Sequence, residues 1–196
     1  MKHGEARFLS CMYVLSLLLL AGFAANGLRS AAAVSAETAV PVVIVLDPGH
    51  GGMDGGAAGA DGTLESSLNL SIALKTDAVL GLLGEQTLLT RSTDADLSGP
   101  EAKTISQKKV SDIRRRVEIV NSQAGALLLS IHCNTYSEEK YHGPQVFYTG
   151  TASKALAEVL QEALQAHVDP GNTRKAKTIS PDVYLMKHIT APGVLL

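Results

Sequence analysis

The sequence is poor in the residue types that bind nucleic acid. It contains no Trp, and aromatic residues make up only 4% of its 196 positions. Charged residues make up 18%, and the formal net charge is -2. Stacking of bases requires aromatic side chains, and attraction to a phosphate backbone requires an excess of positive charge. We therefore expect no nucleic-acid partner.

Cysteine is also scarce, since the chain holds only Cys11 and Cys133. Cys11 lies in an apolar N-terminal stretch, so the pair does not form a disulfide framework. Cys133 directly follows a histidine at a predicted strand end, where neighbouring side chains point to opposite faces. We interpret Cys133 as a packing residue, with a nucleophile as the alternative.

The N-terminal residues 1–36 are predicted to be a targeting segment. A weakly basic start precedes an apolar run at 8–25, and Val34-Ser35-Ala36 suits a signal peptidase. An uncleaved membrane anchor is the alternative, because roughly 18 apolar residues nearly span a bilayer. Both alternatives predict export. Residues 37–41 resemble a short linker, and the folded domain is expected at 42–196.

Strands and helices are predicted to alternate along this domain. The first helix is indicated by apolar residues at helical spacing, namely Leu68, Ile72, Val79 and Leu83. Strands are predicted at 42–46, 86–90, 127–132, 145–148, 183–186 and 193–196, and helices at 66–83, 106–121 and 152–168. This alternation predicts an α/β fold: a central, largely parallel twisted sheet of about six strands with helices on both faces.

Three candidate metal ligands lie where such a sheet binds ligands, beyond the carboxyl ends of its strands. His50 follows the first strand, His132 ends the third, and Glu65 begins the first helix. Two imidazoles and a carboxylate with an open fourth position form a catalytic zinc site. Each residue also has a simpler interpretation: a loop histidine, a carboxylate at the positive end of a helix dipole, or a hydrogen-bonded core histidine.

Other interpretations of the glycine-rich loop are excluded by its details. A dinucleotide fingerprint requires G-x-G-x-x-G, but counting from Gly49 places Asp54 in the last position. A P-loop requires G-K-[ST], and a serine hydrolase would show G-x-S-x-G; neither pattern is present.

The order of several motifs resembles the zinc-dependent N-acetylmuramoyl-L-alanine amidases of type 3, and within them the sporulation- and germination-specific cortex amidases. The resemblance covers the chain from Val42 to its last residue. It rests on Leu46-Asp47-Pro48-Gly49-His50-Gly51-Gly52, Glu65 with Asn69-Leu70, Thr90-Arg91, and Ser130-Ile131-His132-Cys133-Asn134.

The resemblance implies a peptidoglycan hydrolase that cleaves the amide between N-acetylmuramic acid and the L-alanine of the stem peptide. It implies Zn²⁺ held by His50, Glu65 and His132. It also implies an exported protein, located on the outer face of the membrane, in the cell wall or in the spore cortex. Asn134 and Arg91 would contact substrate, although Arg91 would alternatively be a structural ion-pair residue. The subgroup also allows an activating partner protein.

The end of the chain departs from the family pattern. In the family, a strand bearing the general-base glutamate is followed by Gly-Phe-Leu-Ser-Asn and a final helix, whereas this sequence reads Pro192-Gly193-Val194-Leu195-Leu196. The domain at 42–196 is therefore predicted to lack its C-terminal end, with no catalytic residue within the chain and the expected glutamate beyond Leu196. The alternatives are a non-catalytic fragment that binds zinc and peptidoglycan, and a zinc peptidase acting on free peptides.

Overall fold

The computed structural model describes residues 41–134 and 142–196. The predicted targeting segment at 1–36 lies outside the described residues, as do Glu138 and Glu139. Within the described ranges, no helix combines the length and the apolar character needed to cross a bilayer.

The fold is a six-stranded sheet with helices packed against it. The strands are β1 (Val43–Pro48), β2 (Gln86–Leu89), β3 (Ala126–Ile131), β4 (Phe147–Tyr148), β5 (Lys177–Thr178) and β6 (Gly193–Leu195). The helices in the described part of the chain are α1 (Glu65–Leu82), α2 (Ile105–Asn121), α3 (Gly150–His167) and α4 (Tyr184–His188). The strand order is β2-β1-β3-β6-β4-β5, and only the β4–β6 pairing is antiparallel.

The sheet separates two apolar layers. On one face, Val45 of β1 and Leu128 of β3 pack with Val120 of α2 and with Leu185 and Met186 of α4. On the other face, Val194 of β6 packs with Val146, which precedes β4, and with Ala157 and further apolar residues of α3. The predicted α/β class, with a largely parallel sheet and helices on both faces, is therefore confirmed.

The alignment of β1 with β3 determines where the loops after them begin. The two strands are parallel neighbours over their whole length, and Pro48 lies opposite Ile131. Both strands consist mainly of β-branched and aliphatic residues, which favour a strand buried on both faces. The residues that follow Pro48 and Ile131 therefore emerge side by side at one edge of the sheet.

The structure differs from the sequence prediction in its secondary structure at 177–188. The strand predicted at 183–186 is wrong, because this segment forms the short helix α4. Consecutive residues Leu185 and Met186 are both buried against the α2 side of the core, which a helix lying on the sheet achieves. Strand β5 was not predicted, since it consists of only two exposed polar residues.

Helix α1 is confirmed, but the apolar spacing that predicted it does not mark its buried face. Leu68, Ile72, Val79 and Leu83 are 44%, 45%, 55% and 71% exposed. The buried positions of α1 are instead Glu65, Ser66, Asn69 and Ala73. The helix carries apolar residues around most of its circumference, so the spacing alone could not identify the side that faces the sheet.

Candidate metal centre

Three side chains from separate elements converge at the carboxyl edge of β1 and β3. The ligand atoms of His50, Glu65 and His132 all lie within 4.8 Å of one another. Glu65 Oε1 is 3.2 Å from His50 Nε2 and 3.1 Å from His132 Nδ1. The two imidazole rings meet edge to face, with their centroids 4.9 Å apart. The two histidines are far apart in sequence, and the parallel alignment of β1 with β3 brings them together.

His50 adopts a backbone conformation that is unusual for a residue with a side chain. Its φ is 60°, in the left-handed region, and it is the only non-glycine residue with positive φ in the described part of the chain. Such a conformation costs roughly 1–3 kcal/mol and persists only where the surroundings enforce it. The enforcing contacts come from two arginines, described below.

Two glycines make room for the converging side chains. A Cβ atom on Gly49 would lie 2.2 Å from His132 Cε1, and one on Gly56 would lie 2.6 Å from Glu65 Oε2. Both distances are far below van der Waals contact. Glycine at these two positions therefore allows the loop backbone to pack directly against the ligand side chains.

Glu65 is held in its ionised form at the first position of α1. Its carboxylate accepts hydrogen bonds from the backbone N–H groups of Ala57 (2.9 Å) and Cys133 (3.1 Å) and lies beside His132. Burial raises the pKa of Glu65, but the hydrogen bonds with His132, Ala57 and Cys133 outweigh it and lower the pKa to about 2. Glu65 therefore presents a negative ligand oxygen at neutral pH.

A buried ion pair lies beneath the His50 loop. The Asp47 carboxylate accepts hydrogen bonds from Arg116 Nη1 (2.7 Å), Thr90 Oγ1 (2.7 Å) and Ser130 Oγ (2.8 Å). Burial raises the pKa of Asp47, but the Arg116 charge and these hydrogen bonds hold it below its ordinary value. Burial lowers the pKa of Arg116, but Asp47 and Asp112 more than compensate and raise it. Both groups are therefore charged in the folded protein.

The same arginine also binds the backbone of the loop. Arg116 donates from Nη1 to the Pro48 carbonyl (2.9 Å) and from Nη2 to the His50 carbonyl (2.8 Å). Its Nε donates to Asp112, four residues earlier on α2 (2.7 Å). Arg116 thereby fixes the two ends of the turn that gives His50 its positive φ.

Arg91 also binds the backbone of this loop. It donates from Nε to the Pro48 carbonyl (3.0 Å) and from Nη2 to the carbonyls of Gly49 (3.0 Å) and Ser66 (2.9 Å). The side chain is buried, with the residue only 4% exposed. Arg91 therefore binds backbone carbonyls of the loop, and its contact with substrate stays a prediction.

The remaining residues singled out by the sequence lie in different surroundings. Asn134 is exposed and lines the cavity beside His132, so its substrate contact stays a prediction. Burial and the charge of Glu65 raise the pKa of the Cys133 thiol, which disfavours a nucleophilic thiolate. His188, for which the resemblance implies no role, stacks on Tyr184 and is not one of the three converging side chains.

A cavity of about 540 Å³ opens beside the two histidines. This volume lies in the range of about 300–1,000 Å³ that is usual for small-molecule sites. Its wall includes charged side chains of both signs and an apolar surface. The charged residues include Lys108, Lys109, Asp54, Asp96 and Asp112, and the apolar ones Ile113, Phe147, Ile179, Val183 and Leu195. The donor set thus faces a space large enough for part of an extended substrate.

The donor set and its setting define a class of protein. Two imidazoles and one carboxylate at the edge of an α/β sheet, open on one side to a cavity, match the three-ligand sites of metal-dependent hydrolases. The donors are close enough to share one ion, and the lowered pKa of Glu65 keeps its ligand atom ionised. These residues therefore fit a single divalent metal ion.

Comparison with known proteins identifies the family. The family model described as N-acetylmuramoyl-L-alanine amidase matches residues 44–196. The chain belongs to this family, and the resemblance noted in the sequence motifs is confirmed.

Individual relatives agree with this assignment. The chain is 38% identical to the germination-specific N-acetylmuramoyl-L-alanine amidase of Bacillus subtilis, over 79% of this chain and 65% of that protein. It is 33% identical to the amidase LytC of Bacillus subtilis, over 80% of this chain and 29% of that protein. The chain therefore spans less than two thirds of the length of these curated relatives.

A solved structure shows the same fold. The CwlD amidase from Clostridioides difficile, determined in complex with the GerS lipoprotein, is 38% identical to this chain with a TM-score of 0.74. The match covers 79% of this chain and 80% of that one.

Sequence reasoning found the three converging residues but not what holds them in place. Asp54 lies 3.0 Å from His50 Nδ1, and Asn69 Nδ2 lies 3.4 Å from Glu65 Oε1. The only signal for Asp54 was an acidic residue four positions after a histidine in a glycine-rich loop. Arg116 matches a position that is often basic in the family, with substrate contact and a structural ion pair as its expected alternatives. Its contacts with the loop carbonyls could not be inferred, because they depend on a long-range approach of α2.

Proposed function

We propose that this chain forms the catalytic domain of an exported peptidoglycan hydrolase. The reaction is hydrolysis of the amide between N-acetylmuramic acid and the L-alanine of the stem peptide. The observation that carries the proposal is the convergence of His50, Glu65 and His132 beside an open cavity, in a chain of the amidase family. The cofactor we propose is Zn²⁺, held by these three residues.

The donor chemistry supports zinc. Zn²⁺ prefers nitrogen and carboxylate oxygen ligands, and catalytic zinc sites typically use three protein ligands with one open position. Bound at such a site, zinc lowers the pKa of water to about 7 and polarises a carbonyl group. Hard, oxygen-preferring cations such as Mg²⁺ are less suited to a set with two imidazoles.

The chain's own residues would bind and orient the substrate. The apolar surface around Phe147 and Ile179 would exclude water from one side of the cavity. Lys108, which also lines the cavity, would attract the carboxylates that a stem peptide carries. Asn134, exposed at the cavity rim, would contact the sugar or the peptide next to the scissile amide.

The names of the relatives support a biological setting. A germination-specific amidase of 38% identity supports a role in spore cortex maturation. CwlD was determined in complex with a lipoprotein, and this supports the proposal that a partner protein activates the present chain. We place that activity on the outer face of the membrane. Action on peptidoglycan requires export, which is the role proposed for residues 1–36.

The test is release of stem peptides from purified peptidoglycan by zinc-loaded protein. Because the general-base glutamate is predicted to lie beyond Leu196, the assay uses protein that includes it. In that protein we expect chelator-sensitive release, none after His132→Ala, and undiminished release after the control His188→Ala. Wild-type turnover in His132→Ala would contradict the proposed site. Zinc and peptidoglycan binding without turnover would support the non-catalytic alternative, and cleavage of free stem peptides alone would support a zinc peptidase.

A further inference from the structure

The His50 ring has a carboxylate at each of its two nitrogens. Asp54 Oδ2 lies 3.0 Å from Nδ1, and Glu65 Oε1 lies 3.2 Å from Nε2. A neutral imidazole carries its single proton on one nitrogen and offers a lone pair on the other. The nitrogen on the side of Asp54 points away from the converging ligand atoms, whereas Nε2 points toward them. The group that contacts Nδ1 therefore determines which ring nitrogen carries the proton and which one can bind a metal.

We propose that Asp54 is a positioning residue of the metal centre, and that Lys109 of α2 holds it in place. Asp54 accepts the Nδ1–H of His50 and so keeps the Nε2 lone pair directed toward Glu65 and His132. This inference rests on the proposed metal-binding function. It adds two residues that contact neither the ion nor the substrate amide.

The loop backbone fixes Asp54 beside His50. Gly51 and Asp54 exchange two backbone hydrogen bonds of 2.8 and 3.0 Å, which close a tight turn. Gly51 (φ 136°) and Gly52 (φ 55°) supply the positive φ angles that this turn requires. The Asp54 side chain therefore returns to the ring of the residue four positions earlier without a helix between them.

The two carboxylate oxygens of Asp54 have separate partners. Oδ2 faces His50, and Oδ1 lies 2.9 Å from Lys109 Nζ. A carboxylate paired with a lysine ammonium can only accept hydrogen bonds, so the proton shared by Asp54 and His50 lies on the imidazole ring.

Helix α2 thus fixes both the ring and the backbone of His50. Lys109 acts on the ring through Asp54, and Arg116 binds the His50 carbonyl directly. The two residues are seven positions apart, about two helical turns, so they lie on the same side of α2. One rigid helix can therefore set the orientation of a ligand that lies in a glycine-rich loop.

The experiment compares Asp54→Asn with Asp61→Asn, both in the zinc-loadable protein. Asp61 lies in the same loop, but its carboxylate bonds only to Thr63 nearby and does not reach the ligand residues. Zinc affinity is measured by competition with a chromophoric chelator, and ligand geometry by the visible spectrum of the Co²⁺-loaded protein. We expect Asp54→Asn to weaken zinc binding by about 10–100-fold, and to shift the cobalt spectrum. Asp61→Asn should leave both unchanged.

A second pair of variants tests Lys109. We expect Lys109→Met to weaken zinc binding less than Asp54→Asn does, because the turn still holds the carboxylate near the ring. The control is Arg115→Met, which removes an exposed ion pair with Glu118 from the same helix and should not change zinc affinity.

The outcomes separate this inference from the proposed reaction. Wild-type zinc affinity and an unchanged cobalt spectrum in Asp54→Asn would overturn the positioning role and leave the proposed function standing. Equal losses in Asp54→Asn and Asp61→Asn would also overturn it, since the effect would then belong to the loop as a whole. If the zinc affinities of the variants rank as expected but the protein releases no stem peptides, the positioning role is supported and the proposed reaction is contradicted.

Discussion

Replacing Arg116 with methionine would leave Asp47 as a buried anion beneath the His50 loop. In the folded protein Arg116 is 2% exposed and Asp47 is 1% exposed. Bulk water would therefore not readily solvate the Asp47 carboxylate in place of the lost guanidinium. Asp47 would retain the hydrogen bonds from Thr90 and Ser130 but lose its counter-charge. The carbonyls of Pro48 and His50 would each lose a donor at the same time.

The expected loss is large compared with the stability of a typical domain. Removing one partner of a buried ion pair costs about 3–5 kcal/mol, and domains are stable by only about 5–15 kcal/mol in total. For a domain of this size, about 2–4 °C per kcal/mol gives a fall in Tm of about 6–20 °C. The neighbouring variant Arg115→Met removes only an exposed pair and should change stability by less than about 0.5 kcal/mol.

The loss should depend on pH in a defined direction. In the wild type the pKa of Asp47 is lowered, so its contribution is present above the pKa of the unfolded chain and is lost as the pH falls through the folded value. In Arg116→Met, burial acts without the arginine and raises the pKa of Asp47 above the unfolded value. The penalty is then full at neutral pH and shrinks as the pH falls toward about 3.9.

Urea unfolding of the metal-free protein at pH 7 and pH 4 measures these differences. The variant Asp47→Asn/Arg116→Met removes both charges and should recover about 1–3 kcal/mol relative to Arg116→Met alone. A loss below about 1 kcal/mol in the single variant would refute the reasoning, given the cost expected for an unpaired buried charge. So would a double variant no more stable than the single one.

Two further predictions follow from the ligand geometry. Gly49→Ala places a Cβ 2.2 Å from His132 Cε1, so it should displace the ring and weaken zinc affinity in the chelator competition, whereas Gly81→Ala, which meets nothing within 4 Å, should not. A wild-type affinity in Gly49→Ala would show that the ring can move at no cost. Removing zinc with EDTA should lower stability by about 2.7 kcal/mol relative to protein with free zinc at 100 times its Kd. In His132→Ala, calorimetry should show no comparable shift, and an equal shift would place the ion elsewhere.

The sequence predicted the sheet better than it predicted the contacts that shape the site. The runs that form β1 and β3 are apolar and β-branched or aliphatic, so their burial could be inferred, and the alternation of strands with helices indicated a largely parallel sheet. His50 and His132 followed from the general rule that parallel strands end at one edge. The position of Asp54 could not be inferred, because it depends on the positive φ angles of His50, Gly51 and Gly52.

Errors arose where the local pattern allowed more than one answer. The residues Val183 to Met186 suit a strand by composition, but packing of Leu185 and Met186 against the core selects a helix. The apolar residues of α1 surround most of the helix, so the face against the sheet was not identified. In both places the tertiary contacts, rather than the intrinsic preference of the segment, determine the outcome.

The alignment of β1 with β3 has a consequence for how the protein reaches its native state. The donors come from segments that are distant in sequence and meet only after these two strands have paired, a slow, long-range step of folding. An ion would therefore find no comparable set of ligands in the unfolded chain and would have little effect on the folding rate. Because it binds after the strands have paired, it would act mainly by slowing unfolding.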